Sequence, residues 1–146
     1  MAKFVNRMQN ILNIKLKLES QAKIAYSNAN RALQEEQEVL QHLMLRRMEY
    51  EKKLKALMEG SINISEINHA RADVNSMKNL IRKQLMAVRK AEILVEEARR
   101  NLNSVMQERK TYEKLKEKEF ESFKKELLYE ESKEIDQLVS YSYNDR

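Results

Sequence analysis

Few residues in this chain are of the types that perform chemistry, and their spacing does not bring them together. The histidines are His42 and His69, and cysteine is absent. The adjacent carboxylates Glu96 and Glu97 lie in a charged stretch typical of a helix surface. A chain with one glycine cannot form a glycine-rich phosphate loop. We therefore predict no catalytic residue, no metal site and no cofactor, and interpret the chain as non-enzymatic.

The charged residues are of both signs and are interleaved along the chain. There are 28 lysines and arginines and 23 aspartates and glutamates, a net charge of +5. This pattern predicts a solvated helix surface and argues against a nucleic-acid-binding face, because aromatic residues do not alternate with the basic ones. No apolar run approaches the roughly 20 residues of a membrane span. With no cysteine, we expect a cytoplasmic protein that reaches the membrane only peripherally, through partners.

The elements that would position these residues are organised around one break. Gly60 is the only glycine and proline is absent, so the rest of the chain lacks the two strongest breakers of regular structure. Glycine suits the left-handed residue that closes a helix. Asn63 with Glu66 has the spacing of a capping box, and Ser65 is a rival cap. One helix is expected to end here and another to begin.

Each arm carries a continuous apolar repeat. Steps of four and three residues from Phe4 to Leu57, and of three and four from Ile67 to Phe123, fall mostly on apolar side chains. A repeat of about 3.5 residues keeps one seam facing a partner helix. The fold class predicted is all-α, a long antiparallel two-helix coiled-coil hairpin, in which facing residue numbers sum to about 125.

The predicted boundaries follow from the break and from the ends of the repeats. We expect a single coiled-coil domain over residues 1–146. Its parts are a helix at about 3–59, a turn at 60–63, a second helix at about 64–138 and a frayed tail at 139–146.

Two groups of apolar residues lie off the seam. The first runs from Leu40 to Met48 and is either scattered surface or a docking patch. The second lies beyond Lys124, where the longer second helix has no mate. Its apolar residues, which we expect to contact another protein, are Leu127, Leu128, Ile135, Leu138 and Val139.

Three stretches carry a resemblance to a known family. FVNRMQNIL at residues 4–12 resembles the opening of the flagellar export protein FliJ family, ERKTYEKLKEK at 108–118 resembles its basic-acidic block, and EIDQL at 134–138 fits its ending. The resemblance covers nearly the whole chain. It implies a component of the bacterial flagellar type III export apparatus, similar to the central stalk of rotary ATPases.

The resemblance also implies partners. They are a FliI-like hexameric export ATPase, the export gate protein FlhA and export chaperones. The end of the hairpin that carries both termini would enter the ATPase ring and promote the assembly and turnover of that ring. The residues expected at the ring are Arg109, Lys110, Glu113 and Lys114. Reversing the charge at Arg109 and Lys110 is expected to leave the hairpin intact, because they lie off the apolar contacts or at a polar break in the seam.

For the export gate, the family implies docking on the middle-to-turn part of the hairpin. Leu43, Tyr50, Val74 and Met77 fall at matching places, and all four are also seam positions. Core packing is therefore a competing interpretation for each of them.

Two other functions remain open on the sequence. A stalk subunit of a rotary V-type or F-type ATPase would share the hairpin, although such subunits usually carry an additional insertion at the turn. A homo-oligomeric coiled-coil scaffold would use the same stripe for self-assembly.

Overall fold

Two long helices make up the fold. The computed structural model describes the backbone of residues 2–144 and the side chains of residues 7–143. Helix α1 spans Ala2–Met58 and helix α2 spans Ile64–Asn144. They pack against each other as an antiparallel hairpin, which confirms the predicted fold class. Without proline, and with one glycine in the chain, neither helix meets a strong breaker in its interior.

Gly60 and Asn63 shape the turn between the helices. Gly60 has a φ of 107°, a backbone conformation that side chains with a Cβ rarely adopt. The side-chain oxygen of Asn63 accepts hydrogen bonds from the backbone N–H groups of Ser65, at 3.0 Å, and Glu66, at 3.4 Å. Asn63 is therefore the cap of α2, and Glu66 places a negative charge in its first turn, where the helix dipole favours it.

Packing divides the chain into two compact units. The terminal unit comprises Met1–Ser20 with Ser104–Arg146, and the turn unit comprises Gln21–Asn103. The prediction of a single domain stays a prediction, and the two units are described separately.

The turn unit holds the apolar core. Every apolar side chain that is buried in the described part of the chain lies there. These residues are Ala22, Ala70, Val74, Met77, Ile81, Val88 and Ala91. Along α2 they are three or four residues apart, with the half-buried Gln84 between Ile81 and Val88, so a narrow seam, and not a three-dimensional core, stabilises this unit.

In α1 the predicted seam is right at Met8, Ile11 and Lys15, and beyond Lys15 it is right at every second position and wrong between them. Ala22 is buried, and Ala29, Leu43 and Leu57 are half-buried, as expected. The intervening positions lie one residue later than predicted. Leu33 and Leu40 face the partner helix, whereas Leu18 and Val39 are 41% and 46% exposed. At two of these layers the observed phase packs Leu33 and Leu40, where the predicted phase would have used the smaller Ala32 and Val39.

In α2 the predicted seam is confirmed from Ile67 to Lys116, where its positions are buried or half-buried. It fails at Glu119, which is exposed, while Phe120 is half-buried because an aromatic side chain covers more apolar surface. The predicted register also holds. Within the terminal unit Lys116 bonds Gln9 at 2.7 Å. The seam prediction for Phe4 falls on a side chain outside the described residues.

The second helix is longer than predicted. It continues through Asn144, six residues past the expected end at residue 138, and residues 145 and 146 lie outside the described part. No glycine or proline interrupts this stretch, so each added residue gains a backbone hydrogen bond at little cost in helix propagation.

Replacing Gly60 tests the turn. Gly60→Ala should lower the free energy of unfolding by about 1 kcal/mol, because a Cβ in left-handed backbone costs roughly that much. Nothing lies within 4 Å of the added atom, so the loss would come from backbone strain and not from crowding. Urea unfolding followed by circular dichroism measures it, with Ser61→Ala as the control. Equal stability of the two variants would contradict this account of the turn.

A matched pair of methionines tests the seam. Met77 is 4% exposed and Met86 is 66% exposed, and both lie on α2 of the turn unit. Met77→Ala should destabilise the protein by about 2 kcal/mol or more, since it removes buried apolar volume. Met86→Ala should change stability by less than about 0.5 kcal/mol. Similar melting temperatures for the two variants would place the seam on another face of α2.

Candidate functional site

An ionic cluster lies between the helices in the terminal unit. The guanidinium of Arg109 donates hydrogen bonds to both carboxylate oxygens of Glu19, across the seam. It also donates to Glu113, one turn further along α2, at 3.0 Å. The Arg109 side chain is 18% exposed and that of Glu19 is 6% exposed. The planar guanidinium thus holds one carboxylate on each helix, a geometry that lysine cannot reproduce.

The cluster fixes the charge of its arginine. The hydrogen bond to Glu19, followed by the one to Glu113, raises the pKa of Arg109 above its ordinary value. A cation with a raised pKa contributes its stabilisation at every pH below its unfolded value. Because that pKa lies far above the biological pH range for arginine, Arg109 stays charged throughout that range.

Further polar layers flank this cluster. Lys15 bonds Glu108 at 3.2 Å, and its ammonium lies 4.9 Å from the centre of the Tyr112 ring. Glu19 is the only buried residue among the described side chains of the terminal unit. Charged and amide groups therefore set the pairing of the helices here, whereas apolar burial does so in the turn unit.

The four residues predicted at an ATPase ring divide into two kinds. Lys110 and Lys114 are exposed, while Arg109 and Glu113 are half-buried and bonded to each other. The expectation that Arg109 can be reversed without harm to the hairpin is wrong. Its replacement removes the guanidinium that bonds both carboxylate oxygens of the buried Glu19, and breaking a buried ion pair by removing one member is destabilising.

Sequence reasoning missed Glu19. It predicted Leu18 as the seam residue, one position early, so the carboxylate that faces Arg109 was assigned to the surface. A signal was available, because a polar residue interrupts the seam of α2 at Arg109 and an acidic residue lies within about one helical turn of the matching register in α1. Pairing the polar interruptions of the two arms would have found the correct phase.

Beyond Phe123, the described residues of α2 are all exposed. The predicted overhang is thus present, and it carries a set of exposed apolar side chains. Their exposed fractions are 37% for Leu127, 64% for Leu128, 59% for Ile135, 69% for Leu138 and 63% for Val139. Helical spacing puts Leu128, Ile135 and Val139 on one face, at steps of seven and four residues.

The overhang is also acidic. Residues 126–143 contain five aspartates and glutamates and one lysine, in a chain whose net charge is +5. An exposed amphipathic helix of this kind is suited to a partner that offers an apolar groove edged by basic groups.

The residues predicted to dock the export gate belong to the seam of the turn unit. Val74 and Met77 are buried at 6% and 4% exposure, and Leu43 and Tyr50 are half-buried. A partner could contact Val74 and Met77 only if the helices separated. Docking at these four residues stays a prediction.

Other features of the described residues give no site of a different class. Both histidines are exposed, as expected. Among the side chains described, no three His, Asp or Glu residues are grouped so as to hold a metal ion. Within residues 2–144, neither helix has an apolar stretch long enough to cross a membrane.

Together the seam, the polar layers and the exposed overhang define a two-helix coiled-coil hairpin. The chain matches the family model described as Flagellar FliJ protein over residues 4–146. It therefore belongs to the FliJ family and is a non-enzymatic component of flagellar export. Comparisons with curated proteins and with solved structures gave no match.

The ionic cluster can be tested by removing one charge or both. Arg109→Gln should lower the melting temperature clearly, because Glu19 remains buried without the guanidinium. The double variant Glu19→Gln with Arg109→Gln should melt above the single variant, since both charges are gone and two amides can still bond. Circular dichroism measures the melting, with Lys110→Gln as the exposed control. A double variant that is no better than Arg109→Gln would contradict the assignment of Glu19 as its partner.

Proposed function

We propose that this protein is the central-stalk component of the flagellar export ATPase and that its terminal unit enters the ATPase ring. The exposed apolar overhang is the observation that carries the proposal. It is a long helical surface without a mate in the described part of the chain, and it lies in the unit that also contains the start of α1. Such a surface favours a partner that covers it.

The polar seam of the terminal unit supports the same function. Apolar side chains buried in a deep core would hold the helices together, but the subunits of a ring could not contact them. Here the helices are paired through ionic layers, and Lys110 and Lys114 remain exposed on α2. A stalk that contacts several subunits through such groups favours the assembled hexamer over free ATPase monomers by mass action.

Membership of the FliJ family supports the remaining partners that we propose. The protein acts in the cytoplasm, at the inner face of the membrane, through contacts with the ATPase, the export gate protein FlhA and export chaperones. Gate docking is proposed for the part of the turn unit around Leu43, Tyr50, Val74 and Met77. Leu43 and Tyr50, which are half-buried, are the two of these that a partner reaches without opening the hairpin.

Purified export ATPase provides the test. Adding this protein should increase hexamer formation and ATP turnover, most strongly at low ATPase concentration, where free monomers dominate. Leu128→Asp with Ile135→Asp should remove most of the stimulation, because it places charges on the apolar face of the overhang. Lys110→Glu with Lys114→Glu should weaken it.

All four positions are exposed, so the hairpin should remain folded, which circular dichroism verifies. Lys90→Glu, an exposed basic residue of the turn unit, is the matched control and should stimulate fully. If the wild-type protein neither binds the ATPase nor changes its turnover, the proposal fails. If wild type stimulates and the overhang variant does so equally, the contact lies elsewhere on the chain.

A further inference from the structure

One flank of the seam in the turn unit carries apolar and basic side chains that are exposed or, at Lys78, half-buried, and it includes Met44 and Met48 of the group for which the sequence left docking open. We infer that this flank is a docking surface for an acidic amphipathic helix of a partner protein. We call it the basic face, and it consists of Met44, Met48, Lys78, Arg82, Leu85 and Arg89.

Helix geometry places these six residues on the same side. Met44 follows the seam residue Leu43 directly, and Lys78 follows Met77. Each helix turns by about 100° per residue, in the same sense about its own direction. Because the two helices run in opposite directions, the residue after each of these seam positions points to the same flank. Met48 continues this stripe on α1 at a spacing of four residues.

On α2 the stripe continues with a regular spacing. Lys78, Arg82, Leu85 and Arg89 are separated by four, three and four residues, so they share one helix face. In the register of this hairpin, Met44 and Met48 lie level with residues near Met77 and Ile81. The apolar side chains of α1 are thus beside the basic side chains of α2, across a shallow groove.

The apolar members are exposed well beyond what packing in the hairpin requires. Met44 is 44% exposed, Met48 55% and Leu85 47%. Covering these three side chains would remove their apolar surface from water, and this is the usual driving force for association. Methionine is flexible and polarizable, so a surface that presents two of them can adapt to the side chains of a partner helix.

The charge of this region specifies the partner. Residues 41–90 contain eleven lysines and arginines and five aspartates and glutamates. Glu51, on the α1 side of the same flank, is already bonded to Arg47 at 3.0 Å. Among the described residues, no carboxylate lies within ion-pair distance of Lys78, Arg82 or Arg89. A partner with carboxylates on either side of an apolar stripe would complement both the charge and the apolar surface.

Other polyanions fit less well. Single-stranded nucleic acid is bound by stacking of bases on aromatic side chains, and the basic face has none. A membrane surface is bound by a broad apolar face with large aromatic or leucine side chains, whereas this face has three apolar residues between basic ones. An amphipathic helix needs only a narrow apolar stripe with charges beside it.

The inference does not depend on the contact between the terminal unit and an ATPase ring, because all six residues lie in the turn unit. It also differs from docking at Val74 and Met77, since the face is accessible while the hairpin stays closed.

Fluorescence anisotropy with the full-length protein tests the inference. The probe is a labelled peptide of about three heptads, with leucine at the a and d positions and glutamate at the flanking positions. Wild type should bind it saturably, and less tightly as salt increases. The variant Met48→Glu with Arg82→Glu should weaken binding by about tenfold or more, because it places like charges opposite the glutamates.

Lys110→Glu with Lys114→Glu is the matched control, since it changes net charge by a comparable amount in the other unit and should bind as wild type does. A peptide with lysine in place of glutamate should not bind. Circular dichroism confirms that both variants stay helical, and the face variant should still stimulate the export ATPase.

Four results would overturn the inference. The first is absence of peptide binding to wild type, and the second is an equal loss of binding in the face variant and the control. The third is a face variant that loses binding to phosphatidylglycerol vesicles but not to the peptide. The fourth is a self-associated form of the wild type, detected by sedimentation, that the face variant loses. The third result would assign the face to the membrane, and the fourth would assign it to a second copy of the chain.

Discussion

The turn at Gly60 constrains every contact between the two helices. Its positive φ allows the chain to leave α1 at Met58, and the Asn63 side chain then fixes the first turn of α2. Once the start of the second helix is fixed, so is the residue of α1 that each residue of α2 meets. A slip of one residue would turn the apolar seam of α2 by about 100° away from α1.

Within that register the two units are stabilised by different interactions. The turn unit buries apolar side chains from Ala22 to Ala91, so its helices are held by the hydrophobic effect. The terminal unit pairs its helices through Arg109 with Glu19 and through Lys15 with Glu108. Ion pairs of this kind specify which residues face one another more than they add net stability. The terminal unit is therefore expected to open locally more readily than the turn unit.

Most of the fold was predictable from the sequence because it depends on few signals. One glycine, no proline and two apolar repeats are sufficient for a hairpin, and the phase of the seam in α2 follows from its valines and alanines. The phase of the seam in α1 was harder to predict. Both the predicted and the observed phase contain Ala22, Ala29, Glu36 and Leu43. Only the side chains between them, such as Leu33 and Leu40 against Ala32 and Val39, distinguish the two.

The candidate site was less predictable for a related reason. Whether Arg109 contacts a partner or its own helix pair depends on what lies across the seam, and an error of one residue in α1 moved Glu19 out of reach. The length of α2 beyond residue 138 depended on the absence of a breaker, whereas the prediction relied on the loss of apolar periodicity. Helix propagation requires only backbone hydrogen bonds, so a helix can outlast its apolar repeat.

The same separation of roles limits where partners can dock. Seam residues such as Met77 and Val74 are already committed to packing, and exposing each of them would cost roughly 1.5–3 kcal/mol of lost burial before a partner contributed anything. Residues on the flanks and on the overhang carry no such cost, because Met48 and Leu138 are exposed in the closed hairpin. A partner that recognises the flanks therefore needs less binding energy for the same affinity than one that separates the helices. The surfaces of this protein that are free for recognition are those that the hairpin does not use to fold.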